Sequence, residues 1–363
     1  MLLCQPTATD CFPCLKVLLQ EFDFYIFRCT AVPSQTVPLM ADTNPIDREA
    51  LTAFEEQLAD KLGPLPNEIE AIHISVPMRD GHQNEIRVLR PKAVVETAKP
   101  SKLPLLVLFH GGGYVAGSIY QVERPARELV STFNIIVASV DYRLAPEFKF
   151  PVPVSDAWDA TVWLSHHADP QLGADLEQGF LVGGFSAGGN AAAVVSYMSV
   201  DDEHKDQLKH PITGSLVSIA AFFATEQLVP SKYRSTWKSR EKNCNSWPSS
   251  TADYESIERV YAPDRLSPWW NPAGNGSANT IAKLPRTHVQ VAELDPVRDD
   301  GIVYKKILDG AGVQTRLDSF TNIGHMCFSV YADEDHSNFE EMKESTLSGM
   351  AWLLRRDWTK AAT

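Results

Sequence analysis

The order of apolar and polar positions along the chain indicates its fold class. Continuous apolar runs, typical of strands buried on both faces, lie at 103–109, 134–140, 179–185, 214–223 and 287–294. Helical patterns occur between these runs, among them 155–167, with Ser155 as a candidate N-cap, and 187–199. Strands that alternate with helices predict an α/β fold, with a mostly parallel central sheet and helices on both faces.

Further elements precede and follow this alternating region. Two runs of alternating polarity flank Arg79-Asp80-Gly81 and predict a β-hairpin. A short strand at 314–320 precedes a helix of about 20 residues that begins at Ser337. The apolar stripe of this last helix comprises Phe339, Met342, Met350 and Leu353.

The patterns divide the chain into a core and several other segments. Residues 1–40 lack periodicity and are predicted to be a disordered or mis-annotated extension, with translation beginning at Met40. Residues 41–68 predict a helix, and 69–223 together with 273–363 predict the core. Residues 224–272 are rich in tryptophan and tyrosine without a strand pattern, so they are interpreted as an insertion. The N-terminal helix is predicted to be capped by Asp47, with Leu51, Phe54, Leu58 and Leu62 on one face.

Composition narrows the class of protein. The 363 residues are 44% hydrophobic, which suffices for a large core, and the net charge of −13 argues against a nucleic-acid partner. An apolar run of membrane-spanning length and a secretory signal are both absent from the sequence, so we expect a cytoplasmic protein. Cys11 and Cys14 lack a second pair to complete a zinc site, so no metal or cofactor is predicted.

The segment Gly184-Phe185-Ser186-Ala187-Gly188 follows a predicted strand and precedes a predicted helix. A sharp turn there would expose the Ser186 hydroxyl at the carboxyl edge of the sheet, and the flanking glycines would let strand and helix backbones approach closely. Ser186 is therefore the candidate nucleophile. A serine hydroxyl also needs a base and a site that stabilises an oxyanion.

The segment from His110 to Gly113 follows the first buried strand and offers exposed backbone N–H groups. Gly112 and Gly113, with Gly111 as a weaker candidate, are predicted to form an oxyanion hole together with the N–H of Ala187. His110 is predicted to support this loop. A competing interpretation is a dinucleotide site, because Gly111, Gly113 and Ala116 also fit G-x-G-x-x-A and Asp141 ends the next strand.

Candidates for the base and the acid follow Ser186 in the sequence. His325, after a strand and beside Gly324, is the best placed base, ahead of His288 and His336. Asp295 follows a buried strand and is the preferred acid, able to orient an imidazole. Its rivals are Glu293, Asp299 and Asp300.

These motifs together resemble the hormone-sensitive-lipase family of α/β-hydrolases. The stretches HGGGYVAGS, DYRLAPEFKFPVPVSDAW, GGFSAGGN, LSPWW, ELDPVRDDG and GHMCF match that family in order over most of residues 70–357. The resemblance implies an α/β-hydrolase fold with a helical cap, Ser186, Asp295 and His325 as a triad, and Gly112, Gly113 and Ala187 as oxyanion donors. Phe185 departs from the family, which usually has aspartate there.

Within the family, the chain is similar to small esterases of fungal secondary metabolism. The insertion and the N-terminal helix are expected to cap the site, with the aromatic side chains of the insertion lining the acyl or alcohol pocket. Because an aromatic cap offers area but few charges, we expect hydrolysis of a short-acyl ester of an apolar or aromatic alcohol. Alternatives are acyl transfer, thioester or lactone cleavage by the same triad, or a ligand-binding homologue without catalysis. The expected partner is a small-molecule ester, and a second copy of the chain in a homodimer is the other partner considered.

Overall fold

The computed structural model describes residues 48–92, 102–246, 249–325 and 339–359. Their centre is one 8-stranded sheet with helices on both faces, so the predicted α/β-hydrolase fold class is confirmed. The strands are β1 (Ile69–Pro77), β2 (Gln83–Pro91), β3 (Leu105–Phe109), β4 (Ile136–Val140), β5 (Phe180–Phe185), β6 (Gly214–Ser218), β7 (Arg286–Ala292) and β8 (Thr315–Phe320).

The sheet is mostly parallel. Its strand order is β1-β2-β4-β3-β5-β6-β7-β8. The predicted hairpin forms from β1 and β2, which are antiparallel, and β2 also pairs antiparallel with β4. All pairs from β4 to β8 in this order are parallel, so their carboxyl ends share one edge of the sheet. Ligands of open α/β sheets bind at that edge.

Helices cover both faces of the sheet because each buried strand sends side chains to both sides. Along β3, Leu105, Val107 and Phe109 pack into one apolar cluster. Leu106 and Leu108 pack into another cluster on the opposite face. The helices are α1 (Arg48–Lys61), α2 (Glu123–Phe133), α3 (Val152–Leu172), α4 (Ala187–Met198), α5 (Ser239–Lys242), α6 (Thr251–Tyr261), α7 (Pro272–Asn275), α8 (Ala278–Ile281), α9 (Arg298–Gly310) and α10 (Phe339–Leu353).

Two sequence-based boundaries were wrong. The strand predicted for 214–223 ends at Ser218, because Ile219 adopts a φ of 46° and leaves the extended conformation. Ser155 lies inside α3, whose N-cap is Pro151, and it makes no capping bond there. The helix begins at Val152, three residues before the predicted start at Ser155, because prolines are favoured at the beginning of a helix and Pro151 and Pro153 lie there.

The N-terminal helix buries a polar position. On α1, Glu55 is 1% exposed and Ala59 is 9% exposed, whereas Leu58 and Leu62 are half-buried. Asp47 and the side chains of Leu51 and Phe54 lie outside the described residues, as does residue range 1–40. The packed side of this helix therefore includes the carboxyl of Glu55. The sequence-based prediction placed only apolar side chains on that side.

Within the described ranges, none of the helices has the length and apolar character needed to cross a bilayer. Cys244 is the only cysteine of the described residues and is disulfide-bonded. The pair Cys11 and Cys14 lies outside them.

Candidate active site

Ser186 occupies a strained turn between β5 and α4. Its φ of 56° and ψ of −118° lie outside the regions that non-glycine residues ordinarily adopt. Such strain costs about 1–3 kcal/mol, so surrounding contacts must maintain it. The Ser186 N–H donates to the carbonyl of Ser218 at 2.9 Å. A Cβ on Gly184 would lie 2.3 Å from the Gly188 carbonyl, which explains why this position must be glycine.

His325 and Asp295 lie within hydrogen-bond distance of Ser186 and of each other. His325 Nε2 lies 2.7 Å from Ser186 Oγ, and His325 Nδ1 lies 2.7 Å from Asp295 Oδ2. Asp295 is fully buried and His325 is 5% exposed. The structure thus brings the three predicted residues into one continuous chain of hydrogen bonds.

The strand ends position these side chains. Asp295 follows β7 and His325 follows β8, and the two neighbouring loops pair through Leu294 N–H and the Ile323 carbonyl at 2.9 Å. Asp295 Oδ1 also accepts from the N–H of Val297 at 2.9 Å. The loop containing Asp295 is therefore bonded both to the histidine loop and within itself.

The rival candidates have structural partners away from Ser186. His288 lies within β7, and its Nε2 is 3.0 Å from Asp318 Oδ2 in β8. Glu293 accepts from Asn322 N–H, and Asp299 accepts from the N–H groups of Lys238 and Ser239. Asp300 accepts from the N–H groups of Phe222 and Phe223. His336 lies outside the described residues.

The loop after β3 has the backbone conformation of a glycine turn. Gly112 and Gly113 have φ values of 103° and 66°. None of the described residues accepts a hydrogen bond from the N–H groups of Gly112, Gly113 or Ala187. These three N–H groups, the last at the N-terminus of α4, are available to an anionic oxygen.

Gly111 differs from its neighbours, and its assignment as a fourth oxyanion donor is corrected. Its N–H donates to Oε1 of Gln121 at 2.5 Å, so this donor is already occupied. The sequence-based candidates do not include Gln121. A buried amide ten residues after a glycine loop is nevertheless a suitable partner for a loop N–H.

His110 supports the loop rather than facing Ser186. Its ring stacks on Tyr142 with centroids 4.1 Å apart, and its Nδ1 donates to the Gly111 carbonyl at 2.8 Å. Complete burial lowers the pKa of His110 to about 4, so the ring is neutral. These contacts agree with the predicted supporting position.

The inserted segment contributes a side chain that the sequence did not assign to the site. On α6, Tyr254 donates its hydroxyl to Asp295 Oδ1 at 3.3 Å, and its ring meets the His325 ring edge-on at 5.3 Å. Burial keeps the pKa of Tyr254 well above its usual range, so the hydroxyl remains a donor. Ile257, one turn later, packs over Gly113, where an added Cβ would lie 2.5 Å from it. The i, i+3 spacing of these two bulky side chains was the available signal.

Other aromatic side chains of the insertion belong to the core. Tyr261 is fully buried and stacks on Tyr114 at 4.4 Å. Trp237 is buried and its Nε1 donates to Asp300 at 2.5 Å. The sequence-based expectation that these aromatics line a substrate pocket is wrong for Tyr261 and Trp237, because both satisfy packing or hydrogen bonding inside the protein. Trp247 lies outside the described residues.

Phe185, which departs from the resembled family, is 1% exposed. Its side chain belongs to the apolar cluster that contains Leu106, Ile219 and Ala292. A charged side chain at this position would lose hydration within that cluster. The residue before Ser186 is therefore part of the core in this chain.

One group of potential metal ligands occurs among the described residues, away from Ser186. Asp201, Glu203 and His204 have ligand atoms within 4.8 Å of one another. His204 Nδ1 is already paired with Asp201 at 2.9 Å, and Glu203 is exposed. This group has the properties of a solvated turn.

Comparison with known proteins agrees with the fold. A family model described as alpha/beta hydrolase fold matches residues 106–329, more than half of the chain. Ethyl acetate hydrolase of Pseudomonas putida is 30% identical over 278 residues, covering 76% of this chain and 81% of its own. Versiconal hemiacetal acetate esterase of Dothistroma septosporum is 28% identical over 257 residues, covering 69% and 74%.

A solved structure extends the comparison to three dimensions. The crystal structure of vibralactone cyclase superposes with a TM-score of 0.76 at 25% identity, covering 86% of this chain and 91% of that one. The dinucleotide-fold interpretation is wrong, because residues 106–329, which include the glycine loop, match the alpha/beta hydrolase fold. The chain belongs to the α/β-hydrolase fold family, in the branch of hormone-sensitive lipase and the carboxylesterases, and is an ester hydrolase.

Proposed function

We propose that the protein is a serine carboxylesterase that cleaves short-acyl esters of apolar or aromatic alcohols through an acyl-enzyme. The observation that carries this proposal is the chain of 2.7 Å contacts from Ser186 through His325 to buried Asp295. Gly112, Gly113 and Ala187 supply N–H groups beside it. The constellation has a nucleophile, a base, an orienting acid and anion donors within one edge of the sheet.

In the first half-reaction, Ser186 Oγ attacks the ester carbonyl carbon while His325 Nε2 takes the hydroxyl proton. The carbonyl oxygen becomes an oxyanion, which accepts hydrogen bonds from the three free N–H groups. His325 then donates the proton to the departing alkoxide, and the C–O bond breaks. Asp295 holds the His325 tautomer and stabilises the imidazolium that forms.

In the second half-reaction, water replaces the alcohol. His325 takes a proton from water, whose oxygen attacks the acyl carbon of the Ser186 ester. The second oxyanion uses the same N–H groups, and collapse returns the proton to Ser186 Oγ with release of the carboxylic acid.

Two considerations support the substrate class. Two relatives are named for acetate esters, a hemiacetal acetate and ethyl acetate, which favours a short acyl group. Ile257 packs over Gly113 and so narrows the space beside the oxyanion donors. We further propose that 41–68 and 224–272 form a cap over the carboxyl edge. This proposal is supported by contacts of α1 and α6 with the loop after β3.

A second candidate is acyl transfer to a hydroxyl of the substrate itself, which gives a lactone. The similarity to a protein named vibralactone cyclase favours this candidate. The first half-reaction is unchanged, and only the nucleophile of the second differs. An ester with a free hydroxyl on its acyl chain distinguishes them, because hydrolysis gives the hydroxy acid and transfer gives the lactone.

The test is hydrolysis of p-nitrophenyl esters by the purified full chain. Ser186→Ala should lower kcat by roughly 10⁶-fold, as removal of a serine nucleophile does. Ser199→Ala, at the C-cap of the helix that follows Ser186, should retain wild-type turnover. A fluorophosphonate should label wild type and the Ser199 variant but not the Ser186 variant. Full turnover by Ser186→Ala refutes the mechanism, and an unlabelled wild type supports a binding protein instead.

Activity against p-nitrophenyl acetate, butyrate and longer esters tests the acyl preference. We expect kcat/KM to be highest for the short acyl groups. A rise of kcat/KM with chain length would contradict the proposed substrate class and leave the triad proposal intact.

A further inference from the structure

A buried carboxyl from the N-terminal helix lies behind the oxyanion loop. Glu55, on α1, is 1% exposed. Its Oε2 accepts from the Ser118 hydroxyl at 2.6 Å, and its Oε1 accepts from Gln121 Nε2 at 3.0 Å. Because charged side chains are rarely buried without a partner, this position calls for an explanation.

Glu55 determines which way the amide of Gln121 points. With its NH₂ group donating to the carboxyl, the other end of the amide, Oε1, faces the Gly111 N–H at 2.5 Å. Gly111 precedes the two proposed oxyanion donors of the loop. A Cβ on Gly111 would lie 3.0 Å from Gln121 Oε1 and 3.3 Å from Ser186 Cβ. Gly111 therefore packs directly between Gln121 and Ser186.

The same helix contacts the oxyanion loop at a second point. Arg48 Nε, two turns before Glu55, donates to the carbonyl of Val115 at 2.8 Å. Val115 N–H in turn donates to the carbonyl of Gly112 at 3.0 Å. Helix α1 thus bonds directly to Val115 and Ser118, which follow Gly112 and Gly113, and through Gln121 to Gly111, which precedes them.

We propose that Glu55 is a positioning residue for the oxyanion loop: it orients Gln121, which holds Gly111, and so directs the N–H groups of Gly112 and Gly113. This inference rests on the proposed esterase function. Glu55 does not touch the substrate in this scheme and acts only through Gln121.

The charge of Glu55 contributes to this arrangement. An ionised carboxylate accepts hydrogen bonds roughly twice as strong as those of a neutral acceptor. Burial, followed by the Asp141 carboxylate, raises the pKa of Glu55 to about 7, although its bonds to Ser118 and Gln121 act in the opposite direction. Burial also raises the pKa of the Tyr142 hydroxyl, which donates to the His110 carbonyl, and the charge of Glu55 contributes to this shift. Protonation below a pH of about 7 therefore weakens the bond to Gln121 and loosens the loop.

Single and double variants test whether Glu55 acts through Gln121. We expect Glu55→Ala to lower kcat for p-nitrophenyl acetate by roughly tenfold with little change in KM, part of the 10²–10³-fold effect of losing one oxyanion donor. Gln121→Ala should lower kcat at least as much. The double variant should be no slower than Gln121→Ala alone, because the two residues form one chain. Glu56→Gln, at the exposed neighbouring position, is the control and should match wild type.

The pH dependence provides a readout that a structural role alone would not change. Glu55→Gln keeps an acceptor for Gln121 but cannot ionise. The ratio of wild-type to Glu55→Gln kcat should rise several-fold as pH increases through about 7, because only the ionised wild-type carboxylate makes the stronger, charge-assisted bond to Gln121. This variant is nearly isosteric and so also serves if Glu55→Ala does not fold.

The outcomes separate this proposal from the esterase proposal. Inactive wild type, or active Ser186→Ala, refutes the esterase function. Active wild type and inactive Ser186→Ala, together with a Glu55→Gln ratio that is flat with pH, refute the positioning role alone. Losses that multiply in the Glu55→Ala and Gln121→Ala double variant also refute it, because independent residues have additive free energies.

Discussion

At the scale of single residues, the site is made largely of unusual backbone conformations. Ser186 has a φ of 56°, and Tyr114, next to the proposed oxyanion donor Gly113, has a φ of 63°. Each is unfavourable for a residue with a side chain, so it persists only where neighbours hold it. For Tyr114, those neighbours include Tyr261, stacked on its ring, and Asn190, which accepts from its hydroxyl at 2.9 Å. Rigid packing therefore maintains the conformation of the loop.

Gly112 provides a test of this backbone requirement. Its φ is 103°, and a Cβ would lie 2.1 Å from the Ala116 carbonyl, so Gly112→Ala must displace the loop. We expect kcat/KM for p-nitrophenyl acetate to fall by about 10²–10³-fold, as for loss of an oxyanion donor.

Gly312→Ala is the matched control for this change. Gly312 also has a positive φ, of 82°, but an added Cβ would meet nothing within 4 Å. It should lose roughly 1 kcal/mol of stability through strain and keep its activity. Equal loss of activity in both variants would show that backbone strain in general, and not the oxyanion loop, limits the enzyme.

At the scale of elements, α6 connects both halves of the site. Tyr254 faces Asp295 and His325, Ile257 faces Gly113, and Tyr261 packs on the tyrosine that follows Gly113. The spacing of three and four residues places all of them on one side of the helix. The inserted segment is thus a support for the site as well as a candidate cap.

Tyr254→Phe tests this support at a single atom. The change removes the hydroxyl that donates to Asp295 Oδ1 and keeps the ring against His325. A lost bond to a charged acceptor costs about 1.5–3 kcal/mol, so we expect kcat to fall by roughly 10- to 100-fold. The measurement is kcat across pH, since the hydroxyl acts on the base through Asp295.

Tyr233→Phe supplies the comparison, because the Tyr233 hydroxyl donates to the Lys306 carbonyl in α9 and not to Asp295. Its turnover should equal that of wild type. Wild-type kcat in Tyr254→Phe at every pH would contradict the supporting role.

At the scale of the whole molecule, one sheet edge gathers every part of the site. The loops after β3, β5, β7 and β8 contribute the proposed oxyanion donors Gly112 and Gly113, then Ser186, Asp295 and His325. Parallel strands make this possible because their carboxyl ends meet at one edge. The sheet itself is held by fully buried side chains on both faces, so the edge is a rigid platform.

Stability should depend on pH through Glu55. Burial raises the pKa of Glu55 to about 7 from an ordinary value of 4.5. Between pH 4.5 and about 7, Glu55 is protonated in the folded protein but ionised in the unfolded chain. The contribution of Glu55 to the free energy of unfolding is therefore fully present below pH 4.5 and is lost as pH rises through about 7. The loss amounts to about 3 kcal/mol.

Chemical denaturation at several pH values measures this effect. Relative to wild type, Glu55→Gln should gain unfolding free energy as pH rises toward neutrality, whereas Glu56→Gln, changed at an exposed position, should not. A constant difference between wild type and Glu55→Gln across pH would contradict the prediction.

Much of the architecture was predictable from the sequence. Buried parallel strands appear as continuous apolar runs, and the motif from Gly184 to Gly188 requires small residues where two backbones nearly touch. The order of Ser186, Asp295 and His325 along the chain then restricts which strand ends can carry them. The apolar runs and the glycine motif are local constraints, and the chain order is part of the sequence itself, so neither needs the tertiary structure.

Other features depended on tertiary contacts. The Gly111 N–H is occupied because Gln121 and Glu55 from another helix meet it, and no local pattern encodes that meeting. Tyr254 reaches Asp295 because an inserted helix folds back over the sheet. The sequence by itself determined the fold class and the candidate triad, since periodicity and turn chemistry act between near neighbours. Only the tertiary structure decided which N–H groups are free and which buried groups hold them, because hydrogen bonds between distant segments depend on packing.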